Sequence, residues 1–176
     1  HIKDLNSSNG TLVNNGRLVA NATGAFGTGQ VVVLSGAEVG IGGVTIANNI
    51  SGSGMVIKTA NNTGTLTGTN TYSGGTDIQQ GTLVVNSPAA LGTGGVSTAS
   101  GTALNINYNG ASNAVMTNVL SGNGSLIKDG SGTVVINTAG NTYSGGTTIN
   151  AGRLGLNFSD ALGTGNVVIN SGAELG

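Results

Sequence analysis

The chain has 176 residues, of which 34 are glycine, one is proline and none is cysteine, and its formal net charge is −1. This near-neutral charge gives no basic footprint for nucleic acid or an anionic membrane, and the lack of cysteine excludes disulfides and thiolate metal sites. No apolar run approaches the ~20 residues that a membrane-spanning helix needs. Apolar residues make up 37% of the chain and form short β-branched runs, so we predict a folded, all-β protein.

A long repeat divides the chain into three copies, at about residues 1–49, 50–119 and 120–176, and we expect residues 1–176 to form one segment. Copy one is degenerate and reads Ser-Ser-Asn-Gly at 7–10, where copies two and three read Tyr-Ser-Gly-Gly. Copies two and three share Asn-Thr-Tyr-Ser-Gly-Gly-Thr letter for letter, at 70–76 and 141–147. The offsets are 65 residues from Gly16 to Gly81 and 71 from Gly81 to Gly152. Repetition of this kind indicates an array.

A shorter period runs inside each copy. The glycine pairs Gly16 and Gly36, Gly81 and Gly101, and Gly152 and Gly172 are each 20 residues apart. A period of about 19–22 residues is typical of one turn of a parallel β-helix with three strands per turn. We therefore predict strands at 82–86, 103–107, 132–137 and 166–170, and we expect each repeat unit to form three such turns. Because the sequence begins and ends in mid-pattern, we expect a fragment of a longer solenoid.

The Asn-Thr-Tyr-Ser-Gly-Gly-Thr block, followed by Gly-x-Leu and Leu-Gly-Thr-Gly, resembles the passenger-associated transport repeat of bacterial autotransporters. The resemblance covers about two thirds of the chain, at residues 50–105 and 120–176. It implies a right-handed parallel β-helix. The residues that carry it, and for which we expect a structural role, are Tyr72, Ser73, Gly74, Gly75, Gly81, Leu83, Tyr143, Ser144, Gly145, Gly146, Gly152 and Leu154.

The resemblance also implies a function and a location. The chain would be a structural stalk or secretion-supporting segment of a Gram-negative surface passenger, such as an adhesin or virulence factor delivered by type V secretion. Its partners would be the rest of the passenger and a C-terminal outer-membrane translocator barrel, with a host surface protein or glycan as a further possibility. A second interpretation is a direct adhesive face for a glycan or host receptor, and a third is a polysaccharide-active β-helix enzyme.

The residues with catalytic potential are few. The carboxylates are Asp4, Glu38, Asp77, Asp129, Asp160 and Glu174, and His1 is the one imidazole. An enzyme acting on polysaccharides needs a carboxylate pair, and Asp77 and Asp160 are the residues that would test this interpretation. We expect no catalysis, cofactor, metal site or membrane insertion. For Tyr72 and Tyr143 we expect a part-exposed ring that covers a corner, with its hydroxyl bonded locally.

Overall fold

The computed structural model describes residues 9–176, and His1 and Asp4 lie outside them. The chain within this range forms short strands separated by turns. The strands are β1 (Thr11–Val13), β2 (Gly16–Ala20), β3 (Val31–Val33), β4 (Ala37–Ile41), β5 (Thr45–Ile46), β6 (Ile50–Ser51), β7 (Met55–Lys58), β8 (Thr63–Leu66), β9 (Thr76–Ile78), β10 (Thr82–Val85), β11 (Val96–Thr98), β12 (Ala103–Asn107), β13 (Ala114–Met116), β14 (Leu120–Gly122), β15 (Ser125–Asp129), β16 (Thr133–Ile136), β17 (Thr147–Ile149), β18 (Arg153–Leu156), β19 (Val167–Ile169) and β20 (Glu174–Leu175). A 3₁₀ turn at Pro88–Leu91 is the one helical element in this range.

Every strand pair is parallel, and the strands stack into the three sides of a solenoid. Side A holds β1, β3 and β6, and further along the axis β13, β16, β18 and β20. Side B holds β2, β4, β7, β9, β11 and β14, and side C holds β5, β8, β10, β12, β15, β17 and β19. The two groups on side A are separated by strandless segments, one of which is the 3₁₀ turn that packs against β13.

The predicted parallel β-helix is confirmed. One complete turn is β3, β4 and β5, and about eight turns at a strand spacing of ~4.8 Å make a rod ~40 Å long. The four predicted strands are confirmed to within one residue at each end, as β10, β12, β16 and β19. In several turns a segment without a strand occupies one of the three sides, so each of these turns has two strands instead of three.

The prediction that each repeat unit forms three turns is wrong. The equivalent strands β1, β9 and β17, which begin at Thr11, Thr76 and Thr147, lie on sides A, B and C respectively. The chain passes along the three sides in turn, and from the start of one copy to the start of the next it passes ten sides, strandless segments included. Ten sides are three full turns and one further side. Each copy is therefore rotated by one side about the axis relative to the copy before it.

Aliphatic columns fill the interior of the rod. On side C the inward residues Leu66, Val85 and Ile106 stack in register and are fully buried. Two lysines occupy positions in such columns: Lys128 stacks on Ile106, and Lys58 lies between Ile41 and Ile78 on side B. Each turn is stabilised by its neighbours, because its inward side chains are covered only from above and below.

Polar side chains form a short ladder on the outside of side C. The Asn150 amide donates to Asp129 at 2.8 Å, and the Asn170 amide donates to Asn150 at 2.6 Å. Asp129, Asn150 and Asn170 are spaced by 21 and 20 residues, about one turn, so their side chains lie one above another. Such stacked amide hydrogen bonds add to those of the backbone.

Candidate functional site

The repeated block buries its tyrosines completely. The Tyr72 side chain is 0% exposed and Tyr143 is 1% exposed, in the strandless segments of side A and side B respectively. Each hydroxyl bonds the threonine four residues on, Tyr72 to Thr76 at 2.7 Å and Tyr143 to Thr147 at 2.5 Å. The expected local hydroxyl bond is confirmed, but the expected part-exposed ring is wrong. Both rings are buried inside the rod, each on a side that no strand occupies at that turn.

Burial raises the pKa of Tyr72 well above its ordinary value of 10.0, and the bond to Thr76 offsets part of that rise. Burial likewise raises the pKa of Tyr143, with Thr147 and the Gly163 backbone acting in the opposite direction. Both hydroxyls therefore stay protonated at any physiological pH. In copy one the equivalent threonine, Thr11, is buried and its hydroxyl has no hydrogen-bond partner among residues 9–176.

The Leu-Gly-Thr-Gly motif lies one turn above the tyrosine and packs directly on it. A Cβ atom at Gly92 would lie 3.0 Å from the Tyr72 ring, and one at Gly163 would lie 2.9 Å from the Tyr143 ring. Gly92 also has φ +64, a conformation that favours glycine. The tyrosine and the glycine of Leu-Gly-Thr-Gly are 20 residues apart in both copies, which is about one turn of the rod. The glycine leaves room for the ring because it has no side chain.

The asparagine that begins each block replaces a strand on the side that lacks one. The Asn70 side chain accepts a hydrogen bond from the Ile50 amide at 2.7 Å and donates to the Ala90 carbonyl at 2.7 Å. Asn141 does the same between Leu120, at 2.6 Å, and Ala161, at 2.7 Å. A single side chain thus satisfies backbone groups of the turns below and above it, which would otherwise be buried without partners.

A buried lysine closes a corner in copy two and in copy three. Lys128 donates through Nζ to the carbonyls of Asp129 at 2.7 Å, Gly130 at 2.8 Å and Ala151 at 3.2 Å. Lys58 similarly donates to Ala60 and, at 3.4 Å, to Gln80. Burial lowers the pKa of both amines, and for Lys128 the charge of Asp129 acts against that shift. Neither lysine was assigned a role from the sequence, although their equal position in the two repeats was a usable signal.

A second asparagine binds the glycine-rich turn from the opposite direction. The Asn118 amide donates to the carbonyls of Gly92 at 3.2 Å and Gly94 at 2.7 Å. In copy one, Asn48 makes the same pair of bonds to Gly27 and Gly29. Lysine and asparagine side chains thus bond backbone groups of the irregular segments, and the two tyrosines bond threonine hydroxyls inside the rod.

Comparison with known proteins places this architecture. The family described as passenger-associated-transport-repeat matches residues 56–85 and 126–156. These two segments hold the equivalent lysines, asparagines and tyrosines described above. The chain is autotransporter passenger sequence. It is 30% identical over 213 aligned residues to the adhesin BmaC autotransporter of Brucella suis biovar 1 (strain 1330), an alignment that covers 94% of this chain. The chain spans about 6% of the length of that relative. No solved structure matches it significantly.

The other motif residues of this passenger lie in the core or at corners. Leu83 on side C and Leu154 on side A are fully buried, while Ser73 and Ser144 face solvent. Gly75 and Gly146 have positive φ and approach the backbone of the next turn, where a side chain would collide with a carbonyl oxygen. The remaining motif glycines also stack closely on the backbone of a neighbouring turn: Gly74 and Gly145 lie before β9 and β17, and Gly81 and Gly152 lie at the following corner.

The carboxylates of the passenger are dispersed along the rod. Within residues 9–176, Glu38 pairs with Arg17 at 2.6 Å, Asp77 accepts from Ser97 at 2.7 Å, and Asp160 accepts from the Gly140 amide at 3.0 Å. No two of the five described carboxylates occupy neighbouring turns of one side. In the same range no cluster of three or more His, Asp or Glu residues could hold a metal ion, and no helix is long and apolar enough to cross a membrane.

Proposed function

We propose that this segment is a structural stalk of a surface-exposed adhesin-type autotransporter passenger and that it supports secretion of that passenger. It does so without catalysis. The observation that supports the proposal most is the use of the repeated side chains: Tyr72, Lys58 and Asn70, like their equivalents in copy three, all bind the rod's own atoms. Side chains that bind other groups of the rod itself specify its shape.

Export would couple to folding in the following way. The family is associated with a C-terminal translocator barrel, so the C-terminal side of the passenger emerges first at the cell surface. In a solenoid, folding propagates from a stable end. Copy three carries the buried lysine, asparagine and tyrosine contacts described above, whereas in copy one the Thr11 hydroxyl has no hydrogen-bond partner among residues 9–176. Copy three would therefore fold first outside the cell, oppose backsliding, and help to draw the remaining chain outward.

Surface display of the parent passenger tests this proposal. In copy three, Ile149→Asp with Leu154→Asp places charges at two fully buried positions, and in copy one Val33→Asp with Val39→Asp does the same. We expect the copy-three pair to lower surface-labelled passenger, relative to total passenger, more than the copy-one pair. The outward substitutions Val32→Asp and Val168→Asp are the charge control and should leave display unchanged. Equal display of the two buried pairs, or a larger loss from copy one, would refute a special role for copy three.

A second candidate function is a direct binding face for a glycan or host receptor. It is favoured by one corner of copy two, where the exposed side chains of Asn61, Gln80 and Ser100 make no hydrogen bond within the part of the chain that the structure describes. The enzyme interpretation ranks third: polysaccharide turnover that is lost on Asp77→Asn or Asp160→Asn would overturn this ranking.

A further inference from the structure

A groove crosses the corner between sides B and C in copy two. Its volume is about 290 Å³, and its lining residues are Asn61, Gln79, Gln80, Gly81, Ser100, Gly101 and Thr102. These residues come from the corner turns of three successive turns of the rod, namely residues 59–62, 79–81 and 99–102. The size lies at the lower end of small-ligand sites.

The groove exists because these corner turns differ in length. The middle turn, between β9 and β10, has three residues, and its neighbours on either side have four each. The middle turn is therefore the shortest of the three, and Gly81, which has no side chain, lines the groove at that turn. The groove ends at the next corner, where β14 and β15 are joined by residues 123–124 alone.

The lining is neutral and rich in free hydrogen-bonding groups. Within residues 9–176, the side chains of Asn61, Gln80 and Ser100 are exposed and make no hydrogen bond to another group. The neighbouring charged side chains, Lys58 and Asp77, are already hydrogen-bonded within the rod. Lys58 is buried and donates to the Gln80 carbonyl, and Asp77 accepts from both Ser97 and Gln79.

We propose that this groove binds a neutral saccharide segment of an oligosaccharide or glycan, an inference that rests on the second candidate function above. Carboxamides supply donors and acceptors in pairs, as vicinal sugar hydroxyls require. The three free side chains lie on successive turns ~4.8 Å apart, a spacing comparable to the length of one sugar ring in an extended chain. With no exposed cation, the groove offers nothing to an anionic ligand, and with no apolar lining it offers nothing to a lipid.

The equivalent corner of copy three lacks this site. There Asn61 is replaced by Ser131, Gln80 by Ala151 and Thr102 by Ala173. The counterpart of Gln79 is Asn150, whose amide is bonded to Asp129. The groove is therefore a property of copy two rather than of the repeat. Because no aromatic ring lines it, the affinity for one short oligosaccharide should be weak, with a Kd on the order of 1 mM.

Nuclear magnetic resonance titration of the 176-residue chain tests the site directly. The probes are neutral β-linked glucose and N-acetylglucosamine tetrasaccharides, with a sulfated tetrasaccharide as the anionic comparison. We expect at least one neutral probe to shift the side-chain amide signals of Asn61 and Gln80, and the sulfated probe to shift them less. If no neutral probe moves these signals, or if the sulfated one binds better, the inference is wrong.

Variants then locate the binding. The double variant Asn61→Ala with Gln80→Ala removes two exposed side chains and should weaken binding of the neutral probe at least tenfold. The matched control, Ser131→Ala with Ser171→Ala at the equivalent corner of copy three, should leave the Kd within twofold. Binding that survives the first variant, or falls equally in the control, refutes the site. The groove variant should display normally on the cell surface, and reduced display would instead assign these residues to the stalk.

Discussion

The tyrosine–threonine hydrogen bond provides a test of how the repeat is stabilised, because copy one keeps the threonine, Thr11, but has no tyrosine at the equivalent position. Thr76 and Thr11 are equivalent and both are buried, at 1% and 5% exposure. The Thr76 hydroxyl bonds Tyr72, whereas the Thr11 hydroxyl has no partner among the described residues. Replacement of either by Val keeps the β-branched shape and removes only the hydroxyl.

The two substitutions should have opposite effects. Thr76→Val leaves the fully buried Tyr72 hydroxyl without a partner, which should cost about 1–3 kcal/mol of the free energy of unfolding. Thr11→Val removes an unpaired buried hydroxyl and should be neutral or stabilise by about 1 kcal/mol. In a chain of this size, each kcal/mol shifts the midpoint of thermal unfolding by roughly 2–4 °C.

A double-mutant cycle isolates the bond itself. Tyr72→Phe alone orphans the Thr76 hydroxyl, but Tyr72→Phe with Thr76→Val removes both polar groups and should cost less than the sum of the single variants by about 1 kcal/mol. Unfolding would be followed in urea by circular dichroism. The reasoning is refuted if the single costs simply add, or if Thr11→Val destabilises as much as Thr76→Val.

Two further predictions concern the corners. Gly92→Ala should destabilise the chain by about 1–3 kcal/mol, because alanine is strained at φ +64 and its methyl group collides with the Tyr72 carbonyl oxygen and meets the Tyr72 ring. Gly172→Ala, also at positive φ but facing open space, should cost less, and equal urea midpoints would contradict a contribution from the close packing of Gly92 on Tyr72. Because burial lowers the pKa of Lys58, the unfolded chain binds more protons between that lowered value and the ordinary 10.5. The free energy of unfolding contributed by this group should therefore rise with pH across that window. Lys58→Met should flatten the pH dependence below 10, before the tyrosines titrate in the unfolded chain, and an unchanged slope would show that the buried amine does not contribute.

The sequence alone determined the class of fold and the positions of four strands, β10, β12, β16 and β19. The 20-residue glycine spacing and runs such as Leu104 and Ile106, which alternate with Asn105 and Asn107, reflect local rules of strands and corners. Those rules depend on residues that are near one another in the chain. For the same reason the local bond between the Tyr72 hydroxyl and Thr76 could be predicted.

Only the tertiary structure decided that each repeat extends over ten sides of the rod instead of nine. Successive copies are therefore rotated by one side about the axis. Offsets of 65 and 71 residues are compatible with three turns or with three and one third, because corner lengths vary by one or two residues. The burial of Tyr72 and Lys58, and the groove beside Gly81, follow from what the turns above and below place against them. Such contacts join residues about 20 positions apart, and they depend on the register of the stack, which local sequence patterns do not encode.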